Sequence, residues 1–352
     1  MQLAFIDMST PRPYALRSLD EEGIGGSESS LVRIAEALDG TVLQHNRTMP
    51  DGRYLPIAAE VDPTHVVAFR EPEVALSAIE RFPGAKILLW MQDLCPPESN
   101  RGRRMAAAAN ALADAGVVVV GVSSFHEHQI RAALGASHDG NLPVVTHIFN
   151  PVVIPQLPDE PYDPDQLIFF SSPHKGLKYT VTVFDWLRRR IPSLRLLVGN
   201  PGYMKDLPLE RSGVSVLGPL PQAAILAHVR RSLCTFMPNY VFEETFGCVM
   251  AESHAVGTPV LAHPIGAAPE VLGDPGQWLD VPRSRRWVDR LSARLPRAAG
   301  ALESVSARLG VFRPYLERIE RWRAGERPRV GLNPAFGLDA VAARWRAILD
   351  AA

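Results

Sequence analysis

Residues 234–270 read CTFMPNYVFEETFGCVMAESHAVGTPVLAHPIGAAPE. Leu233–Met237 is an apolar, strand-like run that breaks at Pro238, and a polar, acidic loop follows. The Phe246–Gly247 turn then opens a helix carrying Glu252, Gly257 stops that helix, and a short strand begins at Pro259. A strand, a glycine-containing loop and a helix start together present backbone N–H groups to an anion. Two acids flank this turn, Glu244 before it and Glu252 within the helix. Carboxylates repel phosphate, so they suit hydroxyls beside the phosphate, and an anion flanked by hydroxyls describes a sugar nucleotide. The competing reading is an ordinary strand–helix unit, since acids are favoured at helix starts in any case.

Working outward, the first half alternates short apolar runs with helical patterns. QLAFID, TVLQHN, THVVAFR, KILLWM, VVVVGV and VVTHIF read as strands, several apolar on both faces as buried parallel strands are. Helical patterns fall near Ser27–Leu38, Glu73–Arg81, Arg103–Ala113 and Ser124–Leu134. This alternation predicts a doubly wound α/β sheet, whose ligands bind beyond the carboxyl ends of the strands.

The loop GIGGSESS, 23–30, lets Gly25 and Gly26 approach a ligand closely and offers Ser27 or Ser29 as a helix cap. It is not a dinucleotide fingerprint. Glu28 stands where the third glycine belongs, and the turn follows its strand too late. Residues 150–164 hold five prolines and read as an extended linker. Asp163 and Asp165 within it form an aspartate pair that reads as a turn rather than a metal site. Beyond the linker, Leu177, Val181, Phe184, Leu187 and Ile191 mark an amphipathic helix. It is entered through Ser171, Ser172, Pro173, His174, Lys175 and Gly176, a geometry that aims an ammonium and free N–H groups at an anion. Only four of the 37 basic residues are lysines, which singles Lys175 out further.

The chain resembles the retaining GT-B glycosyltransferases of family four (glycosyl transferases group 1). The resemblance rests on the seven-residue gap from Glu244 to Glu252, on Phe-Gly two residues after the first acid, and on G-T-P-V after the second. G-G-x-E at 25–28, Lys175-Gly-Leu, and V-x-x-L-G-x-L-P over 214–221 extend it. It implies two Rossmann-like domains facing across a cleft: an acceptor-binding domain at 1–155, a nucleotide-sugar domain at 156–335, and a helix at 336–352 crossing back to the first. It further implies that Lys175 pairs the diphosphate and Glu244 binds the donor sugar, the two catalytic positions. Glu252 would take the ribose, with Gly25, Gly26, Gln92, Asp93, Ser172, His174, Gly218, Thr245, Phe246 and Gly247 binding substrate.

The implied reaction moves a hexosyl or pentosyl group from a nucleoside-diphosphate sugar to an acceptor hydroxyl with retention, without a metal or other cofactor. The family implies front-face transfer, in which a leaving-group phosphate oxygen takes the acceptor proton. Two departures stand out. Many members have His-Asp where this chain has Gln92–Asp93, and glutamine cannot act as a base. Most place an arginine four or five residues before the lysine, where this chain has Phe170–Ser171. These departures favour the alternative, a non-catalytic sugar-nucleotide-binding module. A sugar-nucleotide epimerase is a third reading.

The acceptor, whether glycan, lipid-linked or small molecule, has no readable code. A net charge of −1 argues against a nucleic-acid partner held by charge. Cys95, Cys234 and Cys248 fit no disulfide framework, and the latter two read as small core residues. The N-terminus lacks a signal-peptide pattern and no apolar run is long enough to span a bilayer, so a cytoplasmic protein is expected. Arg101, Arg103 and Arg104 could touch a membrane surface or simply mark a solvated helix start, and His126 and His128 read as capping or surface groups.

Overall fold

The computed structural model describes residues 1–21, 24–136, 140–199, 210–218, 220–280 and 310–351. They divide into two compact units. The first holds Met1–Val153, Glu243–Cys248 and Asn333–Ala352; the second holds Ile154–Phe242 and Val249–Leu332.

In the first unit, seven parallel strands form one sheet: β1 (Leu3–Asp7), β2 (Thr41–Gln44), β3 (Tyr54–Pro56), β4 (His65–Phe69), β5 (Lys86–Trp90), β6 (Val118–Gly121) and β7 (Val144–His147). Their order is β3-β2-β1-β4-β5-β6-β7, which places the topological switch point between β1 and β4. Every residue of β1 is buried, as is expected of a central strand covered on both faces. The short strand β3 carries no sequence signal, and its Pro56 is tolerated because it lies at the sheet edge. After a single turn α1 (Ser18–Glu21) come α2 (Gly26–Ala37), α3 (Pro72–Arg81), α4 (Asn100–Asp114) and α5 (Ser124–Gly135).

The expected serine caps are absent from α2. Gly25 is its N-cap, Ser29 donates its N–H to the Gly25 carbonyl from inside the helix, and the Ser30 hydroxyl turns back to the Gly26 carbonyl. Cys248, expected as a small core residue, is only partly buried, beside Asn150.

The second sheet joins β8 (Asp163–Phe169), β9 (Arg195–Gly199), β10 (Val214–Gly218), β11 (Ser232–Phe236) and β12 (Val260–Leu261), all parallel. Its order is β10-β9-β8-β11-β12, with the switch point between β8 and β11. The aspartate pair lies inside β8 rather than before it. Asp163 pairs Arg195 and Asp165 pairs Arg323, so both are structural. Helix α6 (Leu177–Arg188) buries Leu177, Val181, Phe184 and Leu187, the stripe its periodicity predicts. Helices α7 (Gln222–Arg230), α8 (Cys248–Ala255), α9 (Ala268–Leu272) and α10 (Arg313–Arg321) follow. After the loop VLGDPGQW the sequence reads as helical segments rich in Arg and Ala, and residues 281–309 of that stretch lie outside the described residues.

The chain then returns to the first unit. Helix α11 (Leu338–Ala351) packs on α2, and its Trp345 meets Trp90 edge-on with ring centroids 4.9 Å apart. Both indoles are fully buried. No helix of the described residues is long and apolar enough to cross a membrane.

Candidate functional site

Parallel strands deliver their loops to one edge of the sheet, so chemistry gathers where the strand order reverses. In the first unit that place is built by β1, β4 and β5 together with the start of α2. Arg70 follows β4 and donates Nε to Asp93 Oδ2 at 2.8 Å and Nη2 to Oδ1 at 3.1 Å. Its Nη1 reaches Glu28 Oε1 at 3.0 Å. Burial alone would raise the Asp93 carboxyl, but hydrogen bonds and charge from Arg70, helped by Arg101, hold it below its usual value. Burial opposes the Arg70 guanidinium in the same way, and Asp93 with Glu28 raises it in spite of that. Arg101 extends the chain to Glu71, and Arg104 joins Glu71 and Glu73. These two arginines are therefore tied into an ion network, and Arg103 donates to the Glu98 carbonyl.

Glu28 explains the glycine before it. A β-carbon on Gly25 would lie 2.3 Å from Glu28 Oε2, so the carboxylate occupies the space a side chain would take. A β-carbon on Gly26 would meet Cys248 Sγ at 3.1 Å. The glycine turn thus lies directly against the end of the segment Glu243–Cys248.

That segment was expected in the second domain, yet its contacts place it in the first unit. The Thr245 hydroxyl donates to the Gln92 carbonyl at 2.7 Å, and the Thr245 carbonyl accepts from Ser123 Oγ. Phe246 is 1% exposed among Phe149 and Phe336, so its ring is core. Gly247 has φ of 89° and Glu244 is buried.

Gln92 departs from the expectation of a hydroxyl-binding amide. Its Nε2 donates to Asn150 Oδ1 at 3.1 Å while Asn150 Nδ2 donates back to its Oε1 at 3.0 Å, and the side chain is buried. His126 is also misread as a surface or capping group. It is fully buried, with Nδ1 facing the Val122 N–H at 3.3 Å and Nε2 facing the Asp93 carbonyl at 3.0 Å. Burial pushes its pKa down to about 4, which fits a neutral ring accepting at Nδ1 and donating at Nε2. His128 is the exposed one, against the Ser124 carbonyl.

In the second unit the loops after β8 and β11 meet at the switch point. Pro173–Lys175 form one 3-10 turn, and Gly176 follows with φ of 105° as the N-cap of α6. A β-carbon on Gly176 would meet Asn239 Cβ at 2.6 Å. Asn239 in turn accepts the N–H groups of Val241 and Phe242 and donates to the Phe242 carbonyl, closing that loop on itself. Lys175 Nζ stands 5.1 Å over the Phe242 ring, and His174 meets the same ring edge-on at 5.6 Å. Ser171 and Ser172 are buried beneath, and Ser172 accepts the Lys175 N–H at 2.9 Å. On the same strand edge, Gln222 at the start of α7 donates Nε2 to Glu252 Oε1 of α8 at 2.5 Å. Gly218 ends β10 with φ of 70° and open space around it.

The first unit therefore gathers Gly25, Gly26, Gln92, Asp93 and the turn Glu244–Gly247. The second gathers Ser172, His174 and Lys175 in one group, and Glu252 with Gln222 in another. Sequence reasoning missed Arg70, Asn150, Asn239 and Phe242. Arg70 has no local signal at all, since its partners stand 23 and 42 residues away.

Residues 163–293 match the family model described as glycosyl transferases group 1. The resemblance read from the sequence holds over that stretch. A phosphatidyl-myo-inositol mannosyltransferase of Mycolicibacterium smegmatis is 28% identical over 160 residues, 44% of this chain and 39% of that protein. The match thus spans about two fifths of the mannosyltransferase. Among solved structures, Anabaena Alr3699/HepE in complex with UDP-glucose superposes with a TM-score of 0.63 at 16% identity, covering 100% of both chains. Sucrose-phosphate synthase from Thermosynechococcus elongatus gives 0.59 at 15% identity over 100% of both. These likenesses show that the chain has the GT-B fold.

Proposed function

We propose that this chain, whose residues 163–293 carry the glycosyl transferases group 1 signature, is a glycosyltransferase acting on a nucleoside-diphosphate sugar. The observation that carries the reading is the second unit's switch point. There Lys175, at the end of a turn locked by Gly176 against Asn239, stands over the ring of Phe242 on the strand edge where ligands of such sheets bind. An ammonium there, with the N–H groups that open α6, neutralises the charge that grows on a departing diphosphate. One such donor contributes about 3–4 kcal/mol of barrier lowering. Glu252, on the same edge, accepts a hydrogen bond from Gln222 and is suited to a ribose hydroxyl. Glu244 is assigned to the donor sugar's hydroxyls, and transfer is assigned to proceed with retention and without a metal, Lys175 and the turn supplying the positive potential. HepE was crystallised with UDP-glucose and with UDP, which makes UDP-sugars the first donors to test.

One observation favours the non-catalytic binding module instead. Gln92, at the position where many members of this family carry histidine, is buried with both ends of its amide paired to Asn150, and an amide cannot act as a base. The two readings separate by experiment. Thermal-shift screening against UDP-, GDP-, ADP- and dTDP-sugars identifies the donor. Release of the free nucleoside diphosphate in the presence of candidate acceptors then marks a transferase, whereas tight binding with no release marks the module. No stabilisation by any sugar nucleotide would sink both.

A further inference from the structure

Arg70 is one of two non-glycine residues with positive φ among the described residues, at 73°. Left-handed backbone costs an ordinary side chain about 1–2 kcal/mol, so something must hold it there. Its N–H donates to the Trp90 carbonyl of β5 at 2.9 Å, which pins the backbone. The side chain then forks. Nε and Nη2 hold both oxygens of Asp93, and Nη1 holds Glu28 in the first turn of α2. One guanidinium therefore joins three loops at the strand-order reversal of the first sheet: those after β1, β4 and β5.

We propose that Arg70 is a positioning residue of the first unit's site, holding the Asp93 carboxylate ionised in one orientation and, through Glu28, fixing the glycine turn that opens α2. Fixed in this way, Asp93 presents a charged oxygen able to accept a hydrogen bond from a hydroxyl. The turn meanwhile packs Gly25 against the Glu28 carboxylate and Gly26 against Cys248 Sγ. Assigning that hydroxyl to the acceptor substrate rests on the transferase reading above; the fork itself does not.

The surroundings of Asp93 support this division of labour. Arg101 from α4 approaches Asp93 Oδ2 at 3.5 Å but is shared with Glu71, at 2.9 Å. His126 from α5 is neutral and touches only the Asp93 backbone carbonyl. Glu28 would repel Asp93 were Arg70 not between them. Arg70 is thus the group that sets both the charge and the aim of this carboxylate. A lysine could restore one ion pair but not the planar fork that spans two carboxylates.

The test uses the full chain carrying Arg70→Met or Arg70→Lys, with carbon-detected NMR of the Asp93 carboxyl, amide exchange at residues 27–30, and calorimetry with UDP. In the wild type, Asp93 titrates below the ordinary aspartate range. R70M should raise that titration by about 1–3 pH units and accelerate exchange at the start of α2, while UDP affinity, carried by the second unit, is unchanged. R70K should restore the titration but leave exchange fast. If R70M alters neither the Asp93 titration nor the exchange, or if R70K restores both in full, the proposal is overturned. A wild-type chain that shows the expected NMR behaviour yet binds none of UDP, GDP, ADP and dTDP would sink the transferase reading and leave the Arg70 assignment standing.

Discussion

Replacing Gly176 by alanine tests whether the two loops at the second unit's switch point are locked together, because the geometry fixes what the added methyl group meets. Two costs add. The residue has φ of 105°, and an L side chain in left-handed backbone costs about 1–2 kcal/mol. The new Cβ would lie 2.6 Å from Asn239 Cβ and 3.1 Å from its Cγ. Those atoms are held by the Asn239 hydrogen bonds to Val241 and Phe242, so they yield little, and overpacking of this kind costs about 1–3 kcal/mol. The sum is about 2–5 kcal/mol, a large part of the roughly 5–15 kcal/mol that stabilises a whole domain. Gly218→Ala is the matched control. Its φ of 70° carries a similar backbone cost, but nothing lies within 4 Å of the added carbon. Urea unfolding of both variants, followed by tryptophan fluorescence, should show G176A the less stable by about the packing cost alone. UDP-sugar affinity should fall in G176A, because Lys175 adjoins the displaced turn. Equal stabilities for the two variants, with wild-type affinity in G176A, would refute the locked switch point.

Three further outcomes are expected. Lys175→Ala should lower turnover by about a hundredfold to a thousandfold. Its stability loss should stay within the roughly 0.5–2 kcal/mol of a partly buried cation–π contact with Phe242, so kinetics and thermal melts must be read together. Glu252→Ala removes a charge-assisted acceptor from Gln222 and should weaken nucleotide binding by about 1.5–3 kcal/mol in calorimetry; unchanged affinity would remove its ribose role. The third concerns pH. His126 has its folded pKa pushed down to about 4 by burial, below the unfolded value of 6.5, so the unfolded chain binds more protons between those limits. Stability contributed by the neutral ring is present above about pH 6.5 and is lost as pH falls toward 4, by about 3 kcal/mol at most. His263, also pushed down to about 4, adds a second loss of the same sign in the other unit. Denaturation across pH 4–7 in wild type and His126→Gln should show a shallower acid limb in the variant.

The fold was legible because strand alternation and the α6 stripe are local patterns. All six apolar runs of the first half became neighbouring parallel strands, and only the three-residue edge strand β3 escaped, having too few residues to show a period. Lys175 and Gly176 were legible for the same reason, since a strand, a polar turn and a helix follow one another in the chain. What stayed hidden depends on contacts far apart in sequence. Nothing near Gln92 announces that Asn150, 58 residues on, will take its amide. Nothing in the Glu244 motif says that Ser123 will hold the Thr245 carbonyl from 122 residues away. His126 was misjudged because a helix-start histidine looks like a cap until the Asp93 loop is seen to bury it.

The two units are interwoven in the chain, with crossings after Val153, Phe242, Cys248 and Leu332. A growing polypeptide therefore cannot finish its first unit before starting its second. Trp90 emerges from the ribosome some 250 residues before Trp345, the ring that covers it. Through most of synthesis the nascent seven-stranded sheet must keep an indole waiting for its lid. A fragment cut at the linker near residue 155 would inherit that unfinished state permanently, so expression of either half alone is expected to give aggregation-prone material rather than an isolated domain.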